Sequence, residues 1–167
     1  MKKRELWFFV AVIVLILALT ACNDITNSNN GAPCFSVKTV EAPSGTNDVV
    51  VLVELRNNPG FLTMAISIEY DENALALTDT VSGADFRECH FVGPKNKRSG
   101  CIASWFTPDF PERIVDGTLL ELHFNIKSDA VKGDYPIRIT GIDDGGTVDK
   151  NKEPFTVSSA IGYVKIR

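Results

Sequence analysis

Histidine is scarce in this chain: His90 and His123 are the two among 167 residues. Neither has a Ser or Cys at a spacing that would assemble a nucleophile with its base, so hydrolytic chemistry finds no machinery and no enzyme is expected. The histidines and cysteines also miss metal-ligand spacing, which leaves no zinc site to expect. Helical periodicity is lacking as well; at most Asp71–Ala74 and Asp129–Val131 have room for one turn of helix. Internal repeats are absent. Long apolar runs are limited to one, Leu6 to Leu19, so no second segment could span a bilayer.

That single run follows the basic start Met1-Lys2-Lys3-Arg4 and ends in Leu19-Thr20-Ala21-Cys22. It has the length of a signal-peptide core, and its ending resembles the bacterial lipobox. The resemblance implies cleavage before Cys22, a diacylglyceryl group on its thiol and an extracytoplasmic, membrane-anchored mature protein. Two or three acyl chains make a stable anchor, because each buried methylene contributes about 0.8 kcal/mol. Residues 1–21 are thus read as the signal peptide and residues 22–33 as the lipidated cysteine with a flexible, Asn-rich stalk. Residues 34–167 are the folded domain. Three of the 17 basic and one of the 21 acidic side chains fall in the leader, leaving 14 and 20, a net charge of −6. That excludes nucleic acid, which needs a concentrated basic surface. The one basic cluster, Lys95 to Arg98, reads as a hairpin tip.

From Cys34 onward the period is two. Val49, Val51, Val53 and Leu55 alternate with Val50, Leu52, Glu54 and Arg56. The same holds for Leu62–Tyr70, where Thr63, Ala65 and Ser67 take the other face, and for Leu120–Lys127. Further strand-like runs are Phe35–Val40, Ala74–Val81, Glu88–Val92, Gly100–Phe106, Tyr135–Ile142 and Ala160–Ile166. Turn signals such as Asn57-Asn58-Pro59-Gly60 and Asp143-Asp144-Gly145-Gly146 separate them. About nine short strands, each with one apolar face, predict an all-β, antiparallel sandwich of two packed sheets. Cys89 and Cys101 flank the turn Gly93–Lys97 almost symmetrically. A disulfide between them is expected in an exported protein, the alternative being two small buried hydrophobes; Cys34 is left over.

The order of motifs is similar to that of the cohesin domain, the receptor module of cellulosomes. The resemblance is carried by Tyr70-Asp71-Glu72-Asn73-Ala74-Leu75, Asp116-Gly117-Thr118-Leu119-Leu120-Glu121-Leu122-His123-Phe124 and Lys132-Gly133-Asp134-Tyr135-Pro136-Ile137, with Gly162-Tyr163-Val164 near the end. It implies a nine-stranded jelly-roll sandwich without catalysis or a cofactor of its own. It also implies a dockerin-bearing partner from a polysaccharide-degrading assembly, with calcium held by the dockerin. In that family the partner docks on the sheet of the eighth, third, sixth and fifth strands. Carried over, the docking residues are Thr63, Ala65 and Ser67, His90 and Val92, Ile102 and Ser104, and Arg138 and Thr140. A monomer is expected.

Three places in the chain carry sharper functional signals. Trp105 is read as inward, which leaves Phe106 and Phe110 exposed as a contact rim, a sugar-stacking strip or a loop folded over a sheet edge. Asp143, Asp144 and Asp149 suggest a calcium loop but lack EF-hand spacing. Glu69 with Asp71 and Glu72 could mimic a glycosidase pair, yet they fall on an outward strand position and a turn. The rival function is carbohydrate binding on the same sandwich, which requires a planar row of exposed aromatics.

Overall fold

The computed structural model describes residues 31–107, 115–142, 147–149 and 151–167. The leader, Cys22, most of the stalk, Phe110 and the Asp143–Gly146 turn lie outside the described residues. Among those described there are eleven strands: β1 Cys34–Val37, β2 Val40–Ala42, β3 Val49–Arg56, β4 Phe61–Glu69, β5 Leu75–Ser82, β6 His90–Val92, β7 Cys101–Phe106, β8 Gly117–Ile126, β9 Gly133–Gly141, β10 Val148–Asp149 and β11 Ala160–Ile166. One 3₁₀ turn, Ala84–Phe86, is the only helical element among them.

Two sheets form. One runs β1-β3-β8-β5; the other runs β2-β11-β9-β4-β7-β6, with β10 paired to one end of β4. Alternation explains why they face each other: Val51, Val53, Leu55, Leu122 and Phe124 of the first sheet are inaccessible to solvent, as are Met64, Ile66, Ile68, Ile137 and Ile139 of the second. Burying such a side chain contributes about 1.5–3 kcal/mol, so a one-residue slip in any central strand would forfeit several of these at once.

The first predicted strand proves to be two. β1 pairs antiparallel with β3, and after Lys38-Thr39 the chain crosses to the other sheet, where β2 pairs parallel with β11. That parallel pair is the one exception to the antiparallel order among the named strands. The crossing is fixed by the Lys38 amide, which donates to the Leu52 carbonyl at 2.9 Å. The Lys38 ammonium also meets Glu54 at 3.0 Å. Burial raises the Glu54 carboxyl, but Lys38 and Arg56 outweigh it and hold it below the usual range. A bulge in β8 accommodates Leu119, so that Leu119 and Leu120 are both buried and the run begins three residues earlier than the alternation suggests.

Several of the turn and motif residues prove to be braces. Asn58 is buried; its side-chain amide donates to the Val115 carbonyl at 3.0 Å, and its oxygen accepts from the Gly60 amide at 2.9 Å. Its own amide donates to Asp116 at 2.9 Å. Gly60 sits at φ 86°, where a Cβ would be strained. Asp71 closes the β4–β5 turn by accepting from the Asn73 amide at 2.8 Å. Gly162 lies where β11 passes under β1, and a Cβ there would come within 2.6 Å of the Val37 side chain.

Candidate functional site

The outer face of the larger sheet is the feature left without a structural task. On β4 the outward positions are Thr63, Ala65, Ser67 and Glu69, because Met64, Ile66 and Ile68 take the core. On β7, Ala103 and Trp105 are buried, which turns Ile102, Ser104 and Phe106 outward. β6 presents His90 and Val92, and β9 presents Arg138 and Thr140.

The register places these side chains side by side. Thr63 is opposite Phe106, which is opposite His90; Ala65 is opposite Ser104, which is opposite Val92. Ser67 lies between Ile102 and Thr140, and Glu69 is opposite Arg138. All nine residues assigned from the sequence therefore occupy one continuous surface. The Phe106 ring tilts against His90 at 4.4 Å, making Phe106 a member of the face. Two residues were missed: Ile161 and Tyr163 of β11, paired with Arg138 and Pro136. The signal was present in the alternation of Ile161, Tyr163 and Lys165 with Gly162, Val164 and Ile166. The inward glycine weakened it.

Seven large apolar side chains are exposed among the described residues, and five stand on this face: Val92, Ile102, Phe106, Ile161 and Tyr163, each 39–53% accessible. Charge is sparse across its four central strands. The two carboxylates there are paired: Glu69 on β4 is 3.7 Å from the Arg138 guanidinium, and Asp134 at the start of β9 is 2.8 Å from Arg167. Hydroxyl groups of Thr63, Ser67, Ser104 and Thr140 supply donors and acceptors between the apolar groups. Such a surface suits association with another protein: apolar anchors, hydrogen-bonding groups and little charge to desolvate.

The predicted Cys89–Cys101 disulfide is not formed; Cys101 is a thiol. The β6–β7 register is centred on Arg98, whereas the two cysteines are centred on Lys95. Cys101 is therefore displaced by six residues, roughly 20 Å along a strand, from the position opposite Cys89. That is far beyond the ~7 Å Cα separation a bridge tolerates. The turn is asymmetric because its basic cluster folds back. The Lys97 ammonium reaches Asp79 at 3.1 Å and also donates to the Thr78 carbonyl. The Thr80 amide and Lys97 lower the Asp79 carboxyl. The same loop receives the Tyr70 hydroxyl on the Lys97 carbonyl, and the Ser99 amide donates to Glu72 at 2.6 Å. Burial pushes the Cys101 thiol up, its own backbone offsets part of this and the Glu72 charge adds to it; the reactive thiolate is suppressed.

The remaining candidates have structural partners. His123 Nδ1 lies 2.6 Å from Asp48 on the outer face of the smaller sheet. Asp71 and Glu72 are held by the amides described above. Asp149 accepts from the Asn151 and Glu153 amides at 2.8 and 2.9 Å, closing a turn. Among the described residues no group of three or more His, Cys, Asp and Glu could hold a metal ion.

The sequence pattern of the cohesin domain matches residues 34–162. No curated protein matches the chain significantly. Among solved structures, the sixth cohesin of Acetivibrio cellulolyticus scaffoldin B, seen with a Cel5 dockerin mutant, is 23% identical. That similarity covers 82% of this chain and 100% of that one at a TM-score of 0.65. A non-cellulosomal cohesin from the archaeon Archaeoglobus fulgidus is 19% identical over 82% of this chain and 92% of its own, with a TM-score of 0.67. The OlpA cohesin of Clostridium thermocellum, in a type I complex with a dockerin, is 19% identical over 80% and 99%, with a TM-score of 0.65. At these identities the likeness establishes the sandwich alone.

Proposed function

This chain belongs to the cohesin family, and on that premise we propose that it captures a dockerin-bearing protein on the outer face of the β6-β7-β4-β9 sheet. The observation that carries the reading is the concentration of exposed apolar side chains on that single face, beside hydroxyl groups and carboxylates that are ion-paired. Two of the similar structures are complexes with dockerins, which supports the same class of partner. The activity is adhesion without chemistry. Its partner is a polysaccharide-degrading enzyme or a scaffold protein, and calcium belongs to the partner's loops. Calorimetry against each dockerin encoded in the same genome is expected to give at least one submicromolar complex, abolished by chelator. A complete set of dockerins without a binder would end the proposal.

The second part of the proposal is location. Lipidated Cys22 holds the domain at a membrane surface, extracytoplasmically and as a monomer. The Cys22→Ser protein is expected to lose incorporated radiolabelled palmitate and to leave the membrane fraction. Label retained on that variant would place the anchor elsewhere. A carbohydrate-binding role gains little support. Among the described residues, the exposed large aromatics Phe106 and Tyr163 are on β7 and β11, offset by about 30 Å rather than aligned in a row.

A further inference from the structure

We infer that Ile161 and Tyr163 of β11 form a second anchor for the partner, so that a partner helix laid across the face spans four strands, β7 to β11, and carries two apolar anchor groups about eleven residues apart. This rests on the docking reading above and deepens it. The exposed apolar groups are not spread evenly. Val92, Ile102 and Phe106 gather on β6 and β7, whereas Ile161 and Tyr163 stand on β11 at the far side of the sheet.

Between them lie β4 and β9, whose outward groups along the line joining Ile102 and Ile161 are Ser67, Thr140 and the Glu69–Arg138 pair. The register fixes the geometry. Ile102 is level with Ser67, and Ile161 is level with Glu69 through Arg138, two residues further along β4. Three strand spacings of about 4.8 Å and one two-residue step of about 7 Å separate the two isoleucines by roughly 16 Å.

An α-helix rises 1.5 Å per residue, so that span corresponds to about eleven residues. Eleven residues are also close to three whole turns, which returns both anchors to one side of the helix. A helix laid from Ile102 to Ile161 therefore meets an apolar group at each end. Its middle passes over the Ser67 and Thr140 hydroxyl groups and beside the Glu69–Arg138 pair. A charged residue is accommodated there only where Glu69 and Arg138 can answer it, because an unanswered buried charge is strongly disfavoured. The strip is continuous with the docking face through the unbroken β9–β11 ladder from Ala160 to Ile166.

The test is a titration of the methyl-labelled chain with a calcium-loaded dockerin from the same genome, followed by NMR. The Ile161 and Ile102 δ1-methyl signals are expected to shift together, while Val81 on the opposite sheet stays fixed. In parallel, Ile161→Asp with Tyr163→Asp is expected to weaken binding about 30-fold, and Val81→Asp to change it less than about two-fold. Methyl shifts are read on the native chain, so a variant that fails to fold does not decide the matter. Movement of Ile102 without Ile161 would overturn the second anchor and leave the docking face standing. Binding that moves neither methyl would overturn both, and so would a set of dockerins of which none binds.

Discussion

Trp105→Ala is expected to lower the unfolding free energy by about 3–5 kcal/mol, the range for deleting a large buried aromatic. Trp105 is 1% exposed and lies 5.0 Å from the Phe91 ring. Its indole nitrogen donates to the Ser82 hydroxyl at 3.2 Å. Ser82 belongs to β5, in the other sheet, so this one side chain fills the core and ties the sheets at their β5–β6–β7 margin. Alanine leaves a cavity and strands the serine hydroxyl. Trp105→Phe keeps most of the volume and loses the hydrogen bond, for a cost nearer 1 kcal/mol. Chemical denaturation with both variants measures the difference. A Trp105→Ala protein as stable as its parent would mean that this margin is not packed as described.

Ala65→Arg should do the opposite: leave stability within about 0.5 kcal/mol and reduce dockerin binding by about 1000-fold. Ala65 is the smallest outward side chain on β4, flanked by Ser104 on β7. An arginine there stands above the surface, obstructs any helix laid across it and is far from an acidic partner within the face. Its aliphatic stem has room on the solvent side, so the fold is spared. Calorimetry paired with a melting curve separates the two effects. Retained affinity in a folded Ala65→Arg protein would move the docking site off this sheet.

Much of this was legible in the residues because a strand's period is short. Val49 to Arg56 announces its buried side by alternation alone, and every outward residue expected on β4, β6, β7 and β9 is outward in the structure. Pairing is harder to read, since it depends on where a turn is centred. Cys89 and Cys101 looked opposed because the turn Gly93–Lys97 suggested a centre at Lys95. The hydrogen bonds of Lys97 and Ser99 draw the loop toward β5 and the β4–β5 turn, shifting the centre to Arg98. The split of the first strand was hidden for a similar reason. Nothing local to Lys38-Thr39 reports that β11 stands ready to receive Val40–Ala42. The family motifs have a parallel limitation. Asn58, Asp71 and Asp116 secure turns, so they identify the sandwich and say nothing of which partner it holds.

That split strand has a mechanical consequence. A tether pulled at Cys34 loads β1 against β3 in one sheet, and through Lys38-Thr39 loads β2 against β11 in the other. Tension is therefore divided between the layers before it reaches the core. For a pull directed along the strands, both ladders are strained in shear, where several bonds must yield together, and neither can be opened like a zipper one bond at a time.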